Sequence, residues 1–182
     1  MTPGTQTLTF SGDVLRRGFW LYAWEITTPG AEKVCYVGRT GDSSSQNAQS
    51  PFNRMGQHLG FNAKNNVLRR RLGAWGVVPE DCRFQLVAHG PLLGEAETPE
   101  GHAERRDIMA ALEKALADEL KAAGYDVMNT VSCSKPLDPE LFAEVRAAFA
   151  GHFPALEEPN EAGYRKAARQ VPELNSDGRS VT

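Results

Sequence analysis

The stretch FWLYAWEI at residues 19–26 sets the first constraint on the fold: four aromatic side chains in eight positions suit a strand. Period-two alternation would put Trp20, Tyr22 and Trp24 on one strand face. The TPGA turn at residues 28–31 follows, then KVCYVG at residues 33–38, a second β-prone run. So short a connection requires an antiparallel hairpin.

After the hairpin, residues 40–50 form a polar loop without periodicity. Ser50-Pro51 carries a helix start, a capping hydroxyl followed by a proline at the first helical position. The helix expected over 51–59 places Arg54 and His58 four residues apart on one face. A second short helix fits 65–75 and a third strand fits 82–88. A long helix runs from Thr98-Pro99 to about residue 123, where Gly124 ends it. Its apolar stripe is Ile108, Leu112, Leu116 and Leu120. A short extended piece over 125–131 and an amphipathic helix over 139–149 complete the pattern. The expected fold class is therefore α+β: a small antiparallel sheet, hairpin plus third strand, flanked by helices, with an extra C-terminal helix. The organisation reads as a loose leader at 1–17, a domain at 18–131, a helical extension at 132–153 and a polar tail at 154–182. That tail is weakly patterned and open to disorder, with one helical attempt at 161–169.

At 182 residues and 41% hydrophobic content, the chain suits one domain with a buried core rather than a disordered polymer. No apolar run reaches the roughly 18 residues of a membrane helix, and the N-terminus lacks a secretory pattern. Three widely spaced cysteines, Cys35, Cys82 and Cys133, read as reduced thiols, and the expected location is the cytoplasm. The net charge of −3 conceals a strong asymmetry. Residues 33–71 carry seven basic side chains against Asp42 alone, while residues 72–163 carry a net −10. A basic block on an acidic body is the footprint of a phosphate-binding face, or of a solvated surface that happens to be basic.

Several chemistries are absent from the sequence. The four histidines are scattered and no Cys-x-x-Cys exists, which argues against a structural zinc site. No phosphate-binding glycine loop and no Gly-x-Ser-x-Gly elbow occur. What remains is Trp20-Leu21-Tyr22 on the first strand and Tyr36-Val37-Gly38 on the second. Arg54 and His58 follow on a helix, Glu113 lies on the long helix, and Asn129 stands just beyond it. Each has an ordinary structural alternative: core tyrosines, a solvated arginine, a boundary histidine, a turn asparagine. Glu113 lies beside the apolar stripe and must have a partner there, either a divalent cation or a group such as Arg54 or a hydroxyl.

In this order of residues the chain resembles the GIY-YIG nuclease family over residues 18–130. Trp20 stands where that family has glycine, and the loop between residues 39 and 53 is longer than usual. The resemblance implies a metal-dependent endonuclease, with DNA, double-stranded, as the expected partner ahead of RNA, and no membrane role. Glu113 would hold a single Mg²⁺ (or Mn²⁺). Arg54 would stabilise charge on the phosphoryl group. Tyr36 is expected to take the proton of the attacking water, through a phenol acidified by the metal and the arginine, with Tyr22 orienting that water. His58 would relay a proton and Asn129 would hold the geometry. Arg39, Lys64, Arg69, Arg70 and Arg71 are expected to contact phosphates. The alternative is a nucleic-acid-binding module of the same fold that has lost catalysis, and oligomeric state is left open.

Overall fold

The computed structural model describes residues 4–42 and 47–157, which form an α+β fold with one three-stranded antiparallel sheet and four α-helices. The strands are β1 (Phe19–Thr27), β2 (Lys33–Arg39) and β3 (Arg83–Leu93), in the order β2-β1-β3. The helices are α1 (Pro51–Leu59), α2 (Val67–Ala74), α3 (Pro99–Ala122) and α4 (Pro139–Ala150). Three of the four helices begin with a capping side chain followed by proline. Ser50, Thr98 and Asp138 each accept from backbone N–H groups of the first turn, satisfying donors that the helix leaves unpaired.

β1 is the central strand and is buried on both faces, so its alternation builds two cores rather than an inside and an outside. Phe19, Leu21 and Ala23 join Leu112, Leu116 and Phe149 from α3 and α4 on one face. Tyr22, Trp24 and Ile26 join Leu68, Leu72 and Met55 from α1 and α2 on the other. The hairpin pairs Tyr22 with Gly38 and Trp24 with Tyr36. Its turn is closed by the Ala31 N–H donating to the Thr28 carbonyl, with Ala31 in the left-handed region at φ 63°.

The structure departs from the sequence expectation in three places. β3 continues beyond residue 88 to Leu93, which pairs with Phe19 across an irregularity opposite Trp20. The His89-Gly90-Pro91 sequence breaks the alternation there and hides the strand's continuation. It also makes room for Trp20, whose ring would stand 2.9 Å from any Cβ added at Gly90 and whose indole N–H donates to the Arg16 carbonyl at 3.1 Å. The leader is not loose over its described length: Gly12–Leu15 forms a 3₁₀ turn, Phe10 packs on Phe52, and Arg17 donates to the Ala48 carbonyl. Nor does a tail begin at residue 154. Pro154–Leu156 forms a 3₁₀ turn that buries Leu156 beside Phe153 in the α3–α4 core. The remainder of the expected tail, with its helical attempt at 161–169, lies outside the described residues. No helix of the described residues is long and apolar enough to cross a membrane.

The outer edge of β2 is covered by the segment after α3. Cys35 N–H donates to the Asp126 carbonyl and Met128 N–H donates to the Cys35 carbonyl, a parallel bridge of one register. Beyond it the pairing passes to a side chain. Asn129 accepts from Val37 N–H at 3.0 Å through Oδ1 and donates to the Val37 carbonyl at 2.7 Å through Nδ2. An amide side chain thus completes a strand pairing, and both of its ends are spent on the backbone. Asn129→Ala would leave two buried backbone groups unpaired, at about 1–3 kcal/mol each. The expected result is a lower denaturant midpoint, by about 2–6 kcal/mol of stability, with an unchanged m-value. An unchanged midpoint would remove Asn129 from the support of this edge.

Candidate active site

The α1–α2 face of the sheet carries the cluster that the sequence singled out. The four-residue spacing on α1 aims Arg54 and His58 at the same patch of β1 and β2. The Tyr22 hydroxyl lies 2.7 Å from His58 Nε2, and Arg54 Nε donates to the same oxygen at 3.5 Å. Tyr36 faces the His58 ring edge-on at 5.2 Å. Tyr22 can sit here because its cross-strand partner is Gly38. A Cβ at Gly38 would stand 2.6 Å from the Tyr22 ring carbons and hydroxyl. The glycine of the Tyr-Val-Gly tripeptide is therefore needed for close approach.

The hydrogen-bond roles follow from donor inventory. Arg54 can only donate, so the Tyr22 oxygen accepts from it and turns its own proton toward His58 Nε2. Nε2 is then the acceptor and Nδ1 carries the ring proton, buried without a partner. Burial, aided by the Arg54 charge, pushes the His58 pKa down to about 4, so the ring is neutral near pH 7. Burial also raises the Tyr22 phenol, outweighing the pull of Arg54 toward phenolate. Tyr36 is pushed up to about 12, by burial first and by the Glu113 carboxylate second. The expected acidified tyrosine is thus not the resting state of this protein. Tyr22 and Tyr36 are held protonated, and Tyr22 rather than Tyr36 has a built acceptor for its proton.

Glu113 lies under this patch, and its partner in the structure is one the sequence reading did not consider. Arg39 Nε donates to Glu113 Oε2 at 2.8 Å and Arg39 NH1 to the Arg106 carbonyl at 2.9 Å, both side chains being mostly buried. Burial raises the Glu113 carboxyl, while Arg39 acts in the opposite direction. Arg39 is therefore tied to Glu113 rather than presented to a phosphate. Among the described residues no group of three or more His, Cys, Asp or Glu side chains gathers into a metal site. The donor set does suit an ion that takes one carboxylate oxygen and fills its remaining positions with water and substrate oxygens, which is the habit of Mg²⁺. Arg39 engages Oε2, and Oε1 would be the oxygen offered to such an ion.

The basic block divides. Lys64 and Arg70 are exposed. Arg69 is engaged by the Leu59 carbonyl at 2.7 Å and by Glu80 at 2.7 Å. Arg71 lies close to the cluster. It is half-buried, donates to the Met128 carbonyl, and its charge favours the Tyr36 phenolate. Asn129 belongs to the edge of β2, holding Val37 between Tyr36 and Gly38, and does not face a ligand.

One residue at the site was missed. Asp42 Oδ2 accepts from Arg54 NH2 at 2.8 Å, while Arg54 NH1 donates to Gln57 Oε1 at 3.2 Å. Every nitrogen of the guanidinium is thereby engaged by the protein. The sequence signal existed: Asp42 is the lone carboxylate within the basic block.

The depressed His58 pKa has a consequence for stability. Between the ordinary value of 6.5 and about 4, the unfolded chain binds a proton that the folded ring refuses. Stability is therefore present above pH 6.5 and is lost as the pH falls toward 4, by about 3 kcal/mol in all. In His58→Gln this contribution is absent. The expected outcome is that the stability difference between wild type and variant, from denaturant midpoints, changes by that amount over this window. Parallel pH profiles would contradict the buried neutral ring.

No family model, curated protein or solved structure matches the chain.

Proposed function

We propose that the chain is a metal-dependent endonuclease of the GIY-YIG type that hydrolyses phosphodiester bonds, with DNA as substrate. The observation that carries this reading is the Tyr22 hydroxyl, shared between a neutral histidine acceptor and an arginine, on a hairpin whose second strand supplies Tyr36 and the accommodating Gly38. Each part has a chemical task. The Arg54 guanidinium offers a charged planar fork to a phosphate. The exposed Asp42 carboxylate occupies that fork in the resting protein and stands where the phosphate would bind.

Entry of the substrate phosphate displaces Asp42 and engages Arg54. The phosphate takes the place of one anion beside the guanidinium, and His58 stays neutral with Nε2 free to accept a proton. Water then attacks phosphorus while Tyr22 takes its proton and passes its own phenolic proton to His58 Nε2. The new oxygen–phosphorus bond forms as the bond to the leaving sugar oxygen breaks, and Arg54 stabilises the charge on the phosphoryl oxygens. Tyr36, held protonated, donates toward the same anion. Glu113 would hold Mg²⁺, which would neutralise phosphoryl and leaving-group charge. Arg39 fixes the orientation of that carboxylate.

A second reading has a specific observation behind it. Glu113 already possesses a counter-ion in Arg39, so the fold is complete electrostatically without a metal and could serve as a nucleic-acid-binding module. Supercoiled plasmid separates the two. Nicking that requires Mg²⁺ and is stopped by a chelator indicates the enzyme, whereas a gel shift without nicking indicates the module.

For the enzyme, Tyr22→Phe should lower single-turnover cleavage by about 10²–10⁴ and Arg54→Lys by about 10²–10³, with DNA affinity little changed. Near-wild-type cleavage in Tyr22→Phe would sink the proton path through His58. Asp42→Asn tests displacement separately. A partly exposed pair of this kind is worth about 0.2–1 kcal/mol, so KM should fall by up to roughly fivefold with kcat held. A large loss of kcat in Asp42→Asn would instead make the carboxylate part of the chemistry.

A further inference from the structure

Phe61 is 84% exposed, the most exposed of the large apolar side chains among the described residues. Single exposed apolar residues are ordinary, but this one is supported. The Arg69 guanidinium lies over its ring, 4.3 Å from the centroid. That guanidinium is itself fixed, through Nε to the Leu59 carbonyl and through NH2 to Glu80, each at 2.7 Å. One ring face is thus backed by an immobilised cation and the other is open. The ring stands two residues beyond the end of α1 and seven after Arg54 in the chain, and the helix itself spans roughly 8 Å from Arg54 to its last residue. It stands in a markedly one-signed stretch: residues 43–79 contain five Lys and Arg side chains and no Asp or Glu. Exposed Lys64 sits three residues on, in a tight turn where its N–H donates to Asn62 Oδ1 at 3.1 Å.

We infer that Phe61 is a stacking platform for an unpaired base of the nucleic acid whose phosphate engages Arg54. This inference rests on the nuclease reading and names the substrate feature that reading leaves open. An aromatic ring offers a base only its π-face, and a base inside a duplex has no π-face to give. The cationic surroundings hold the backbone, and the ring selects single-stranded, overhanging or gapped nucleotides near the cleaved bond. Arg69 exchanges its expected role as a phosphate contact for that of the platform's support, and its constrained geometry means that little side-chain freedom is lost on binding.

The test measures binding in the presence of chelator, so that nothing is cut. Three oligonucleotides are used: single-stranded, overhang-bearing and blunt duplex, with 2-aminopurine at the unpaired position of the first two. The wild-type chain should prefer the unpaired forms and quench 2-aminopurine. Phe61→Ala should bind them about tenfold more weakly, lose the quench and leave blunt-duplex binding unchanged. Phe61→Trp should retain both. Because the ring is exposed, truncating it does not endanger folding. Salt-dependent binding of all three DNAs that Phe61→Ala leaves untouched, or weakens equally, overturns the platform and spares the nuclease reading. Absence of any binding by the wild-type chain overturns both. Adsorption to anionic phospholipid vesicles that Phe61→Ala abolishes, with oligonucleotide binding unaltered, overturns the platform in favour of a lipid surface.

Discussion

The central strand has no solvent side. Because β1 lies between β2 and β3 and is covered on both faces, its core residues alternate between two cores, Phe19, Leu21 and Ala23 in one and Tyr22, Trp24 and Ile26 in the other. A one-residue slip of the hairpin would exchange the two sets and bring the Tyr22 ring onto a side chain instead of Gly38. The register is thus fixed by packing on two sides at once. The same register delivers Tyr22 to His58 and Tyr36 to the edge of the imidazole, so the candidate site needs no separate scaffold. It is the upper core of the sheet, made polar where α1 crosses it.

Putting polar groups into a core has a stated electrostatic cost, and the ionisation states follow from it. Desolvation raises both phenols and lowers the imidazole, opposing the arginine's pull on Tyr22 and joining its push on His58. The result is a neutral, hydrogen-bonded resting site closed by the Arg54–Asp42 pair. Glu113 obeys the same rule: a carboxylate so deeply placed has a cation beside it, here Arg39.

The hairpin, the capped helix starts and the apolar stripe of α3 were legible in the sequence because each is a local signal: alternation, a capping residue before proline, a four-residue repeat. Arg54 and His58 were legible as a pair for the same reason. The extension of β3 was not, since it depends on Phe19 offering a partner beyond a break in the alternation. Neither was the burial of Leu156, which looks polar by its neighbours and is decided by Phe149 and Phe153. The partners of Arg39 and Arg71 are distant in sequence and those of Arg69 lie across a turn of chain, so a count of charges found the basic block without showing which of its members are already spent. Asp42 was visible as an odd residue but carried no meaning until Arg54 was placed beside it.

The grip of Asn129 on Val37 spans 92 residues of chain. Contacts of such separation form late, because the intervening chain must first be brought to closure. β2 can pair with β1 as soon as the hairpin turn exists, yet its outer edge is sealed only after α3 has been made and has returned residues 125–129 to the sheet. During synthesis from the N-terminus, Tyr36 therefore resides on a provisional edge strand until Asn129 has emerged. A nascent or prematurely ended chain possesses all the residues of α1 and the hairpin without a settled site. Assembly is thereby timed by the C-terminal half, which also supplies Glu113.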